Sequence, residues 1–135
     1  MKELKEHKLL EAAAAVRENA YAPYSGFAVG AALLTDSGRV FVGCNVENGA
    51  FAPSLCAERA AVAAAVAAGE REFAAIAVIA DGSDYCYPCG VCRQVLSEFC
   101  DDAFVIFAAK TVRDFKVYRL EELLPHGFSL REDGE

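Results

Sequence analysis

The chain has no apolar run approaching the roughly 18 residues that a membrane-spanning helix needs. It also has no apolar segment behind its first residues. Met1-Lys2-Glu3-Leu4-Lys5-Glu6 mixes both charge signs, which argues against a secretory leader and makes the cytoplasm the expected location. A basic stripe is missing as well: 13 Lys and Arg are scattered among 20 Asp and Glu, for a net charge of -7. Binding to nucleic acid regardless of sequence relies on clustered cations that neutralise phosphates, so a polynucleotide partner is not expected. Histidine is scarce, and neither His7 nor His126 stands at a ligand spacing. No repeat, linker or low-complexity tail divides the chain, and 135 residues fit a single domain, 1–135.

Apolar residues, by contrast, make up 55% of the chain, with a mean hydropathy of +0.22. That exceeds what a solvated monomer of this size usually carries, and part of the excess is expected to cover a subunit interface. Six cysteines stand at positions 44, 56, 86, 89, 92 and 100. In a chain with no secretory segment they point to metal binding or catalysis rather than to disulfides.

Apolar spacing predicts a helix over residues 2–19, through Leu4, Leu9, Leu10, Ala13 and Val16. Ala22-Pro23-Tyr24-Ser25-Gly26 breaks it. Strands are expected at Phe27–Thr35 and, after the Asp36-Ser37-Gly38 turn, at Arg39–Val46. A helix from Cys56 to about Ala68 follows, apolar on all sides and therefore expected between the sheet and a further layer such as another subunit. Then come a strand at Phe73–Ala80, a helix from Cys89 or Gly90 to about Cys100, strands at Phe104–Ala108 and Phe115–Tyr118, and a terminal piece at Leu120–Leu124. This order predicts a three-layer α/β/α sandwich around a mixed five-stranded sheet.

The chemistry lies in Cys56-Ala57-Glu58 and, some thirty residues later, Pro88-Cys89-Gly90-Val91-Cys92. A C-x-x-C pair lets two thiolates reach one ion, and a third ligand from elsewhere leaves the fourth tetrahedral position open, as in catalytic zinc sites. Both segments fall where a loop becomes a helix. The free N–H groups and positive dipole end of a helix start stabilise anions and favour thiolates. A carboxylate two residues beyond Cys56 is placed to work on water at the metal. Zinc deaminases use this pattern, with a Glu that moves protons without binding the metal.

Tyr24-Ser25-Gly26-Phe27, Asn45-Val46-Glu47-Asn48, Cys56-Ala57-Glu58-Arg59, Pro88 to Gln94 and Leu123-Leu124-Pro125 together resemble, in content and order, the blocks of the small zinc-dependent cytidine deaminases. The resemblance implies hydrolytic deamination of cytidine and deoxycytidine for pyrimidine salvage, with one Zn²⁺ per subunit held by Cys56, Cys89 and Cys92. Glu58 would be the catalytic proton shuttle. Asn45 and Glu47 would bind the ribose hydroxyls, Phe27 would pack on the base, and the backbone of Ala57 would hold it. Arg59 would hydrogen-bond the zinc thiolates, offsetting the net negative charge of a three-thiolate site. The family's homotetramers with shared active sites make Phe51 and Phe128 candidate contributors to a neighbouring site. Phe51 stands where relatives often carry Tyr, so any hydroxyl contact there is lost.

Plainer readings stand beside these. Asn45 and Glu47 by themselves are turn formers at a strand end, Glu58 an ordinary acid of a first helical turn, and Phe27 a core residue. Cys86 extends the C-x-x-C spacing, but an iron–sulfur run needs a further Cys followed by Pro where this chain has Leu96 and Ser97. Cys86 is thus read as a loop thiol, and it is the nearby residue that could close the zinc site into a structural one. A deaminase of related small molecules and a polynucleotide editor are the rival enzymatic readings.

Overall fold

The computed structural model describes residues 2–130. The chain runs α1 (Lys2–Arg17), β1 (Val29–Thr35), β2 (Val40–Cys44), α2 (Ala57–Ala67), β3 (Phe73–Ala80), α3 (Gly90–Ser97), β4 (Cys100–Ala109), β5 (Phe115–Arg119) and α4 (Leu120–Leu123). The expected order of elements is realised. The side chain of Leu4, counted above among the apolar positions of the first helix, lies outside the described side chains.

The strands form one sheet in the order β2-β1-β3-β4-β5, antiparallel except for the β3–β4 pair. That parallel pair needs a crossover, which α3 supplies. Alternation along the strands splits the core in two. Ala31, Leu33, Ile76, Val78 and Ile106 pack beneath α2 and Leu96 of α3, whereas Ala32, Ala77, Ile79 and Phe107 meet Leu9, Leu10 and Ala13 of α1. Helices therefore cover both faces, as the three-layer reading requires.

The starts of β1 and β4 and the burial of α2 differ from expectation, each for a local reason. β1 begins at Val29 rather than Phe27 because the Asn45 side chain, not a strand, bonds the backbone there: Nδ2 donates to Phe27 O at 2.8 Å and Oδ1 accepts from Val29 N at 2.9 Å. β4 begins at Cys100, which was expected at a helix end. It pairs with Phe73, and the register slips before Ala75 meets Val105, which takes up the exposed Asp101-Asp102. Finally, α2 is not enclosed. Ala57, Glu58, Ala61, Val62 and Ala65 are buried, while Ala63, Ala64 and Ala67 face outward uncovered in the single chain.

Glycine sets how closely α2 lies on the sheet. Gly43 of β2 sits under its first turns, where an added Cβ would run into the backbone at Ala57 O and Ala61 N. Gly30 plays the same part under α1, against Ala13 O. Neither obstacle is a flexible side-chain end that could swing aside. Gly43→Ala is therefore expected to cost about 1–3 kcal/mol or more through overpacking. It should lower the thermal midpoint measured by circular dichroism, and a variant melting like the parent would contradict this packing.

Candidate metal centre

Cys56 directly precedes the first turn of α2, with extended backbone at φ -76° and ψ 152°. Cys89 stands in the same place before α3, at φ -68° and ψ 169°. Two helix starts thus converge, each leaving the free N–H groups of a first helical turn near the sulfurs. One turn into α3, Cys92 N–H donates to Cys89 Sγ at 3.5 Å. Its own Sγ is 3.3 Å from that of Cys89, and Cys56 Sγ is 3.8 Å from Cys89 Sγ. All three sulfurs lie within 4.8 Å of one another. Tetrahedral zinc with bonds of about 2.3 Å holds its sulfurs about 3.8 Å apart, so these three side chains fit that ion. Among the described residues no other His, Cys, Asp or Glu group is drawn together in this way.

The charges agree with that fit. A hydrogen bond from Cys92, then contact with Arg59, holds the Cys56 thiol down at about 5. The same contact pushes the Cys92 thiol up. Arg59 Nη2 donates to Cys56 Sγ at 3.5 Å and to Ser54 O at 3.4 Å. Cys86 is not part of the cluster. Its sulfur does not join the three that lie together, and burial, then the charge of Glu58, push its thiol up to about 12.

Glu58, in the first turn of α2, is only 4% exposed. Burial pushes its carboxyl from the ordinary 4.5 up to about 7. Its ionised form is thereby disfavoured by roughly 3 kcal/mol relative to water. Neutral pH then lies close to its midpoint, where a carboxyl can both accept and return a proton.

Cys56, Glu58 and Cys89 line a cleft of about 230 Å³ together with Phe27, Asn45, Glu47, Ala57, Cys86 and Tyr87. Every substrate-side residue expected from the sequence is therefore at one place. Glu47 also borders an adjoining hollow of about 330 Å³ with Tyr24, Ser25 and Phe51. Its Oε1 accepts the N–H groups of Tyr24 at 3.0 Å and Ser25 at 3.1 Å, and its Oε2 accepts the Ser25 hydroxyl. The Ser25 hydroxyl, then its N–H, holds this carboxyl below the usual range, so it is ionised at neutral pH. Phe128 is not in the cleft. It lines a separate cavity of about 180 Å³ with Cys100 and Arg119, and its carbonyl accepts from Gln94 Nε2 at 3.0 Å. Arg93 reinforces that attachment, donating through Nε to Pro88 O at 2.7 Å and through Nη1 to Leu123 O at 2.8 Å.

Sequence reasoning missed Tyr87. The segment 81–87 lacks regular spacing, and the one available signal was an aromatic residue directly before Pro88-Cys89. Its hydroxyl lies 3.2 Å from that of Tyr118 on β5, with ring centroids 5.6 Å apart. Ser25, within Tyr24-Ser25-Gly26-Phe27, carries no signal of its own in the sequence.

A family model for the cytidine and deoxycytidylate deaminase zinc-binding region matches residues 3–108. A cytidine deaminase of Sporosarcina psychrophila is 44% identical over 126 residues, covering 93% of this chain and 92% of that protein. The crystal structure of a cytidine deaminase from Burkholderia pseudomallei superposes with a TM-score of 0.85 at 48% identity, covering 90% of this chain and 98% of that one. A cytidine deaminase structure from Mycobacterium tuberculosis gives 0.81 at 41% identity, covering 91% and 96%. A blasticidin-S deaminase of Bacillus cereus is more distant, at 31% identity over 72% of this chain and 74% of that protein. With the sulfur geometry, these matches set an expected outcome for metal analysis. Cys92→Ser should lose zinc, whereas Cys86→Ser should keep it, and zinc loss from Cys86→Ser as well would make the site a closed structural one. Matched over most of its length by a zinc-binding model and by relatives above 40% identity, the chain belongs to the cytidine and deoxycytidylate deaminase family.

Proposed function

We propose that this chain, acting as one domain over residues 1–135, hydrolyses cytidine and deoxycytidine to uridine and deoxyuridine with release of ammonia, with Glu58 moving the protons. The observation that carries this reading is the burial of a near-neutral carboxyl beside a three-sulfur cluster on the floor of a nucleoside-sized cleft. Zinc held by Cys56, Cys89 and Cys92 supplies, when bound, the Lewis acidity that makes water a nucleophile at neutral pH.

The chain's own groups do the remaining work. Glu58 takes a proton from the water that attacks C4 and delivers it to ring N3. It then takes the remaining proton from the new C4 hydroxyl and gives it to the amino group, which leaves as ammonia. Burial keeps the carboxyl away from bulk water, so the proton it carries goes to the substrate. Phe27 packs on the base, and the backbone of Ala57 bonds its edge. Asn45 has spent one Nδ2 proton on Phe27 O and one Oδ1 lone pair on Val29 N, which leaves one of each for a sugar hydroxyl. Glu47 has filled three of about four acceptor positions and keeps room for one more donor. An ionised carboxylate at this point repels a phosphate, and with a net charge of -7 it supports a free nucleoside rather than a nucleotide or polynucleotide. Arg59 offsets the thiolate charge on the far side of the cluster.

A homotetramer completes the reading. The uncovered alanine face of α2, Phe51 at 74% exposure with φ +65°, and the outlying Phe128 are surfaces that a second copy would cover. An aromatic residue held in the left-handed region stays there only where the surroundings require it. The cytoplasm is the proposed location, and among the described residues no helix is long and apolar enough to cross a membrane.

Glu58→Gln should keep its zinc yet lose on the order of 10³-fold in turnover, read from the decline of the cytidine absorbance band. A zinc-loaded parent chain inert on cytidine and deoxycytidine, but active on blasticidin S, would move the substrate to that analogue. Sedimentation equilibrium should give four copies, and Ala64→Glu on the open face of α2 should reduce that number while the circular dichroism spectrum persists. A parent chain that sediments as a monomer would refute shared sites.

A further inference from the structure

The turn that carries Phe27 is tied to the sugar side of the cleft through one hydroxyl. Ser25 Oγ donates to Glu47 Oε2 and accepts the N–H of Phe27 at 3.0 Å. The carbonyl of the same Phe27 accepts from Asn45 Nδ2 at 2.8 Å. Both polar groups of the Phe27 backbone are therefore gripped, one directly by Asn45 and the other by way of Ser25 and Glu47. Gly26 makes the bend possible with φ +69°. Gly82 lies beside the ring, where even an added Cβ would only touch Phe27 Cε1 at 3.4 Å.

We propose that Ser25 is a positioning residue that couples recognition of the sugar at Glu47 to placement of the Phe27 ring against the base. The proposal rests on the nucleoside reading of the cleft given above. Ser25 is not itself a ligand in this scheme: its single proton goes to Glu47 and a lone pair to Phe27 N–H, so it has no proton left for substrate. A sugar hydroxyl that donates to Glu47 shares a carboxylate with Ser25 and with the amides of Tyr24 and Ser25. Occupation of the sugar end thus steadies the acceptor that holds Ser25, and through it the ring at the base end. Without the hydroxyl, Phe27 N–H loses its acceptor and Glu47 keeps only backbone donors. Sugar and base would then contribute to binding independently, whereas groups in one hydrogen-bonded network do not act independently.

The test is steady-state kinetics on cytidine for Ser25→Ala, Ser25→Thr, Glu47→Gln and the Ser25→Ala/Glu47→Gln double variant, with zinc content and melting temperature taken on the same samples. Removing a hydrogen bond to a charged group should raise KM for Ser25→Ala by about tenfold, with a smaller change in kcat and zinc retained. Ser25→Thr, which keeps the hydroxyl, should return KM close to the parent value. The double variant should cost less than the product of the two single effects. Ser25→Ala that lowers the melting temperature and kcat while KM stays put would reduce Ser25 to a structural residue and overturn the proposal. Multiplying effects in the double variant would overturn it too. If Glu47→Gln raises KM and Ser25→Ala does not, the Ser25 coupling alone fails. If Glu47→Gln leaves KM unchanged, the sugar-site reading fails and takes the coupling with it.

Discussion

Sulfurs at residues 56, 89 and 92 meet only because the backbone of α2 lies directly against the sheet. Gly43 leaves no side chain between β2 and the first turns of α2, so the start of that helix is fixed in depth by backbone contact. The start of α3 is fixed separately, by the parallel β3–β4 pair that α3 connects. Every distance in the cluster follows from these two placements, and so does the depth of Glu58, which shares its turn with Ala57.

That depth carries a tension. A carboxyl next to a thiolate and out of water is held largely against its preference for charge, and a fold selected for stability alone would place an apolar residue there. What the arrangement provides is a group poised between its two protonation states at neutral pH. The substrate side is built differently. Asn45 and Glu47 reach into the cleft from the end of β2, yet most of their bonding capacity is already committed to the Tyr24–Val29 segment. Glu58 is set by burial; Asn45 and Glu47 are set by hydrogen bonds.

Much of this was legible in the residues, and what was not follows a pattern. The order of elements could be read because apolar periodicity changes sharply at Gly38, Gly69 and Pro88. The metal ligands could be read because the C-x-x-C spacing at a helix start has few structural alternatives. The beginning of β1 could not, since only the fold brings Asn45 to the backbone of Phe27 and Val29. Tyr87 was hidden because its part depends on Tyr118, 31 residues away on the edge strand. The open face of α2 illustrates a further limit. An all-apolar helix announces burial, but nothing within a single chain says which of its sides another copy must cover.

Arg93 has a wider reach than its place in the C-x-x-C-R run suggests. One guanidinium holds both the carbonyl that leads into the sulfur turn, at Pro88, and the carbonyl that closes α4, at Leu123. Residues 120–128 are thus braced to the segment that aims Cys89, with Gln94 adding a second strut to Phe128. The metal turn and α4, the last helix among the described residues, are joined by side-chain hydrogen bonds. A neighbour seated against Phe128 would therefore meet a segment anchored, through Gln94 and Arg93, to the helix and turn that carry Cys89 and Cys92.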